Sequence, residues 1–240
     1  MKIMKKICCV AMIVAVAVGF TACGSGGGNS SSTSEKTEKK PKTAKTQKLE
    51  IQDSGYQVKS SDGEDMVYYA VKVYNPNQNK SVGLPTITIT GYDADGKVTG
   101  TDDQTLNTIY PKQTAYFGFV SSVASGTKKV KFSISANSDE YKTTDSKTAK
   151  EKSNQFKISG VHSNNSTFPT VTGTVKNTGK DCDQVMISTV FLNKGKIVYG
   201  DSTFVDNLAK GQEKAFEVSV SSGTIPDHNK IITFAQDWSF

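Results

Sequence analysis

The chain contains no arginine. All 29 of its basic residues are lysines, set against 23 acids, for a formal net charge of +6 over 240 residues. Readout of a phosphate or a base edge by a guanidinium fork is therefore closed to it. Four cysteines in this length fall far below the density of a disulfide scaffold. Leucine occurs five times against 22 valines, which argues against an all-helical protein, because β-branched residues suit a pleated, half-buried surface. Glycines 26–28 do not sit between a strand and a helix, as a phosphate-binding loop requires, and no Gly-x-Ser-x-Gly elbow occurs. What the chain does have is 52 serines and threonines, and a sharply uneven distribution of charge.

The N-terminus carries the most specific signal. Met1 to Lys6 holds three lysines, and Ile7 to Phe20 is an apolar run of 14 residues, short for a bilayer span and suited to a secretory signal. It ends in Phe20-Thr21-Ala22-Cys23-Gly24-Ser25. Small residues before a cysteine at this point resemble the lipobox of bacterial lipoproteins, with Phe20 where leucine is usual. The resemblance implies cleavage after residue 22, with a diacylglyceryl group on Cys23 and no other cofactor. Each buried methylene contributes about 0.8 kcal/mol, so two or three acyl chains hold firmly where one dwells briefly. The expected location is extracytoplasmic, on the outer face of the cell membrane, or periplasmic if the envelope is double.

Residues 23–48 contain no aliphatic side chain larger than alanine and no aromatic, and read as a flexible tether with a reach on the order of 30 Å. The tether carries six lysines and two glutamates, whereas residues 49–240 hold 20 lysines against 21 acids. The folded part is close to neutral, which excludes a nucleic-acid partner of the basic-patch kind. From Leu49 the pattern becomes alternating. Met66–Tyr74, Thr86–Thr90, Thr114–Ser121 and Lys129–Ser135 read as strands, punctuated by turns at Asn75-Pro76-Asn77, Asp95-Gly96 and Ser125-Gly126. Residues 137–154 have one aromatic and no Val, Ile, Leu or Phe, and read as a linker. Strand patterning resumes at Gln155–Val161 and continues through Thr170–Lys176, Val185–Leu192, Lys196–Tyr199, Lys214–Ser221 and Lys230–Ala235.

The two halves repeat. At an offset of 99, Asp102 falls on Asp201, Ile109 on Leu208, Gln113 on Gln212 and Phe117 on Phe216; upstream, Val73-Tyr74-Asn75 falls on Val175-Lys176-Asn177. The expected fold is all-β, with two immunoglobulin-like β-sandwiches over 49–136 and 155–240. The run Val82 to Gly100, with Tyr92-Asp93 leading into Asp95-Gly96-Lys97, resembles the FxLYD-type immunoglobulin-like domains of bacterial surface lipoproteins. Ile89 and Gly91 stand where that motif has Phe and Leu. The second half has Phe191-Leu192 in place of Tyr-Asp, and keeps Gly195-Lys196 and Lys210-Gly211-Gln212. The resemblance implies a structural or binding module.

Several constellations could carry chemistry. Asp93, Asp95, Asp102 and Asp103 suggest calcium, but Gly91 occupies a position where an EF-hand needs a ligand, and an Asp-Gly hairpin turn explains Asp93 to Gly96 equally. The acidic loop Asp62-Gly63-Glu64-Asp65 reads the same way. His162, His228 and Cys182 are too scattered to predict a zinc site or a nucleophile pair. Tyr68, Tyr74, Tyr110, Tyr116 and Trp238 could stack on sugars if exposed, or cover the junction between domains. The sequence thus points to no catalytic and no metal site. It points to a lipid-anchored, non-catalytic surface module that meets a protein or an envelope component. Two other readings stand beside it: a small-solute or wall-glycan binder at the inter-domain groove, and an accessory subunit of a membrane complex.

Overall fold

The computed structural model describes residues 45–61 and 63–238; Cys23, the leader and Asp62 lie outside the described residues. The described chain is an all-β sandwich fold. Its first half comprises β1 (Glu50–Ser61), β2 (Glu64–Tyr74), β3 (Lys80–Val82), β4 (Thr86–Tyr92), β5 (Val98–Thr105), β6 (Thr114–Ala124) and β7 (Lys129–Ser135). A short 3-10 turn (Ser138–Glu140), β8 (Tyr141–Thr143) and helix α1 (Ser146–Ser153) follow. The second half comprises β9 (Phe156–Asn164), β10 (Thr170–Asn177), β11 (Cys182–Asn193), β12 (Lys196–Leu208), β13 (Glu213–Ser219) and β14 (Lys230–Asp237).

Both halves have one topology. In the first, sheet β1-β2-β6 faces sheet β5-β4-β7; in the second, β9-β10-β13 faces β12-β11-β14, each pairing antiparallel. Alternation dictates which residues meet. Val67, Tyr69, Val71 and Val73 of β2 are fully buried against Ile87 and Ile89 of β4 and Phe117 of β6. Val171 and Val175 of β10 pack with Val185 and Ile187 of β11 and Phe216 of β13.

The repeat extends to hydrogen bonding. Asn75 Nδ2 donates to the carbonyls of Lys80 and Ile109, both at 2.8 Å, and Asn177 Nδ2 donates to those of Lys180 (2.6 Å) and Leu208 (2.8 Å). Gln113 Oε1 accepts from Tyr110 N at 2.8 Å, as Gln212 Oε1 does from Ala209 N at 2.9 Å. Each turn needs a left-handed residue at its third position, supplied by Lys112 (φ 58°) in one half and Gly211 (φ 81°) in the other. One buried asparagine per half thus closes its own loop and ties it to a second.

Residues 137–154, read from sequence as a linker, are structured. β8 pairs with β3, and backbone bonds join Gly83 N to Glu140 O and Thr144 N to Asn79 O. α1 starts at Asp145, whose carboxylate accepts from Thr148 N at 2.9 Å, and it buries only Ala149.

The halves pack sheet on sheet. The face of β1-β2-β6 turned away from its own core lies on β12-β11-β14, giving a stack of four sheets. Glycines set the spacing. A Cβ on Gly55 would lie 1.9 Å from Ile197 O, one on Gly118 2.5 Å from Asp201 N, and one on Gly200 2.5 Å from the Ala70 Cβ. Ala70, Val190 and Ile197 are buried there, flanked by Tyr116 and Leu192, and Tyr68 stacks on Tyr199 at 6.1 Å. Polar bonds cross the same seam: Asp53 Oδ2 accepts from Ile197 N at 3.2 Å, Lys59 Nζ donates to Ser222 O, and Asn107 Nδ2 to Asp237 O.

Candidate functional site

A cleft of about 740 Å³ opens where α1 meets two turns of the second sandwich. Its charged lining is Lys150, Glu151, Lys152, Lys180 and Lys210. The segments come from three parts of the chain, and each is fixed through its backbone. Lys180 O accepts from both Asn177 Nδ2 (2.6 Å) and Gln155 Nε2 (3.0 Å). Lys210 N donates to Asp181 Oδ1 at 2.7 Å, and Lys150 O accepts from Asn154 Nδ2 at 2.8 Å. Gln155, which lines the cleft, belongs to a buried network with Asn177 and Cys182, its Nε2 lying 2.9 Å from Cys182 Sγ.

The side chains are less constrained than the backbone. Lys152 pairs with Asp237 at 3.2 Å, and Glu151 is drawn toward Lys147 at 4.0 Å. Among the described residues, no ion pair or hydrogen bond holds the ammonium groups of Lys150, Lys180 and Lys210, and all three residues are exposed. In the first half Lys80, whose carbonyl Asn75 holds as Asn177 holds that of Lys180, is engaged: its Nζ donates to Thr46 Oγ1 at 2.7 Å. Sequence reading missed this cleft. The repeat alignment did not mark it: with Asn177 set on Asn75, Lys180 falls on Gln78, and the equivalence of Lys80 and Lys180 emerges only from the asparagine hydrogen bonds.

The residues nominated from sequence do not converge. Asp93 Oδ1 accepts from Asp95 N (3.0 Å) and Lys97 N (2.8 Å), the geometry of an Asx turn. Asp102 Oδ2 accepts from Ser121 Oγ at 2.7 Å, and Asp103 lies on β5 beside it. Asp65 is buried, accepting from Thr127 N at 2.7 Å, with Glu64 on the preceding residue of β2. Among the described residues, no three His, Cys, Asp or Glu side chains gather as a metal would need. His162 is exposed on β9, whereas His228 is edge-on to Phe191 at 5.0 Å with Nδ1 2.8 Å from Pro226 O. Cys182 sits at the start of β11, and burial, then the charge of Asp237, pushes its thiol up to about 11.

The aromatics divide. Tyr68 and Tyr116 cover the junction, Tyr116 lying 6.3 Å from Phe234. Tyr74 is half-buried, and Tyr110 is half-buried with its hydroxyl pushed up by burial, Lys152 opposing and Asp237 adding to the shift. Trp238 stands between Phe119 (6.4 Å) and Phe204 (5.9 Å), and Phe204 is 44% exposed. Between the halves, the cavity bounded by Asn107, Tyr110, Lys152 and Asp237 measures about 10 Å³, roughly the room of a single water. No protein-family model matches this chain, and no curated protein matches it.

Proposed function

We propose that this protein is a lipid-anchored extracytoplasmic module that presents a fixed, non-catalytic binding surface to a protein or envelope partner. One observation carries the reading: the glycine-lined seam joins both sandwiches into a single compact body. Sheets in backbone contact cannot open and close around a ligand without losing that packing. A body of this kind suits presentation and spacing better than it suits clamping a solute between domains, and the junction cavity is too small for a sugar. The lipobox-like Phe20 to Ser25, the lysine-rich tether and the FxLYD-like run from Val82 to Gly100 support the same placement.

A second reading, glycan binding, draws on the Trp238–Phe204 ledge at the edge of the stack, where an exposed ring could carry a sugar face. Membrane fractionation tests the leading one. Cys23→Ala should move the protein from the membrane fraction to the soluble fraction and abolish incorporation of labelled fatty acid. Retention of that variant on membranes would refute the anchor.

A further inference from the structure

We propose that the cleft between α1 and the turns at 178–180 and 209–212 binds a linear phosphate-bearing polyanion through Lys150, Lys180 and Lys210. The inference names the ligand class for the surface module proposed above, and rests on that reading for where the ligand would be met.

Three observations converge. The cleft, about 740 Å³, lies within the range of about 300–1,000 Å³ typical of ligand sites. Its three uncommitted ammonium groups come from backbone positions already held by Asn154, by Asn177 with Gln155, and by Asp181, so binding orders little beyond the side chains themselves. The first half supplies an internal contrast at one of the three positions, because Lys80, whose carbonyl Asn75 holds as Asn177 holds that of Lys180, spends its charge on Thr46. The repeated scaffold therefore does not by itself require a free lysine at this turn.

Three ammonium groups around one cleft suit a ligand with repeated negative charge, and lysine engages phosphate as a point charge without a bidentate fork. The local backbone donors are also occupied, Gly179 N by Asn177 Oδ1 and Lys210 N by Asp181, which leaves electrostatics as the means of attraction. Three like charges around one cleft are neutralised together by successive phosphates of one chain. The α1 C-terminus, whose dipole would repel an anion, is already countered by Lys150 and Lys152 in its last turn.

The test uses the full-length protein in detergent and linear polyphosphate as the probe, with affinity measured across a salt series. The triple substitution Lys150→Gln, Lys180→Gln and Lys210→Gln changes exposed side chains only. It should weaken binding at least roughly tenfold and lower the slope of log affinity against log salt by about two. Substituting Lys36, Lys39, Lys40 and Lys42 of the tether by Gln should leave most of the binding in place. Unchanged affinity in the cleft variant would overturn the proposal, as would loss driven mainly by the tether variant. A third arm offers vesicles of phosphatidylglycerol and phosphatidylcholine: retention on vesicles without polyphosphate binding would assign the lysines to lipid headgroups and overturn the polymer. Fractionation of Cys23→Ala reports on the anchor independently, so failure of the cleft and failure of the surface placement are separable.

Discussion

At the scale of single residues, Cys182 and two tyrosines link the packing to pH. Cys182 is buried beside Gln155, and its thiol is held up to about 11 from an ordinary 9.0. Tyr69 and Tyr199 are likewise raised above their ordinary 10.0, chiefly by burial. In each case the folded state keeps the proton more tightly than the unfolded chain. The stabilisation is therefore fully present below the unfolded value and is lost as pH rises through the folded one. Stability should hold up to about pH 9 and then decline, with Cys182 acting before the tyrosines. Cys182→Ala should flatten the urea midpoint between about pH 9 and pH 10 while leaving the steeper loss above it. Equal decline in variant and parent over that interval would show that another group governs the alkaline limb.

Among the elements, the loops are organised by two asparagines whose equivalence the sequence repeat implied and whose role it did not. Asn75 and Asn177 each satisfy two carbonyls inside the fold. Replacing either by alanine removes two of these bonds, at a cost of about 1–3 kcal/mol for the pair, since Ile109 O and Lys180 O keep a second donor in Val82 N and Gln155 Nε2. Asn75→Ala and Asn177→Ala should give similar losses in urea denaturation; a marked difference would mean that the two networks are not equivalent. The strands themselves were readable where one face is apolar: Lys129–Ser135 matches β7 end to end, and Met66–Tyr74 falls within β2. β5 escaped because Val98-Thr-Gly-Thr-Asp-Asp-Gln-Thr105 has no apolar alternation and is held as an edge by its register with β4. α1 escaped because a helix that buries a single alanine leaves almost no periodic trace. The lysine cleft was hidden for a different reason: residues 148–155, 178–180 and 210 meet only through the fold.

Across the whole molecule, the seam decides how the two sandwiches behave. Composition suggested two domains joined by a linker, but the seam glycines bring the backbones too close for independent motion. Gly118→Ala places a methyl group 2.5 Å from Asp201 N and 2.8 Å from Asp201 O, and neither atom is the end of a flexible side chain. Overpacking of this kind typically costs about 1–3 kcal/mol. The parent protein should unfold in one calorimetric transition, and Gly118→Ala should lower its midpoint and separate it into two. A single transition at the parental temperature would show that the halves are not coupled through Gly118.

The stacking has one further consequence. The contact joins unlike faces: the β1-β2-β6 side of one repeat meets the β12-β11-β14 side of the next. Such a head-to-tail contact is heterologous, and nothing in its symmetry closes it; in principle a third repeat could be added at either end. The outer faces of the described stack differ from the seam in polarity. The terminal face of β4 presents Thr86, Thr88 and Thr90, and that of β10 presents Thr172 and Lys176, where the seam has Val190 and Ala70. Hydroxyls and charge at those positions work as end caps, in that the two outer faces carry polar groups at the positions where the seam carries small and apolar ones.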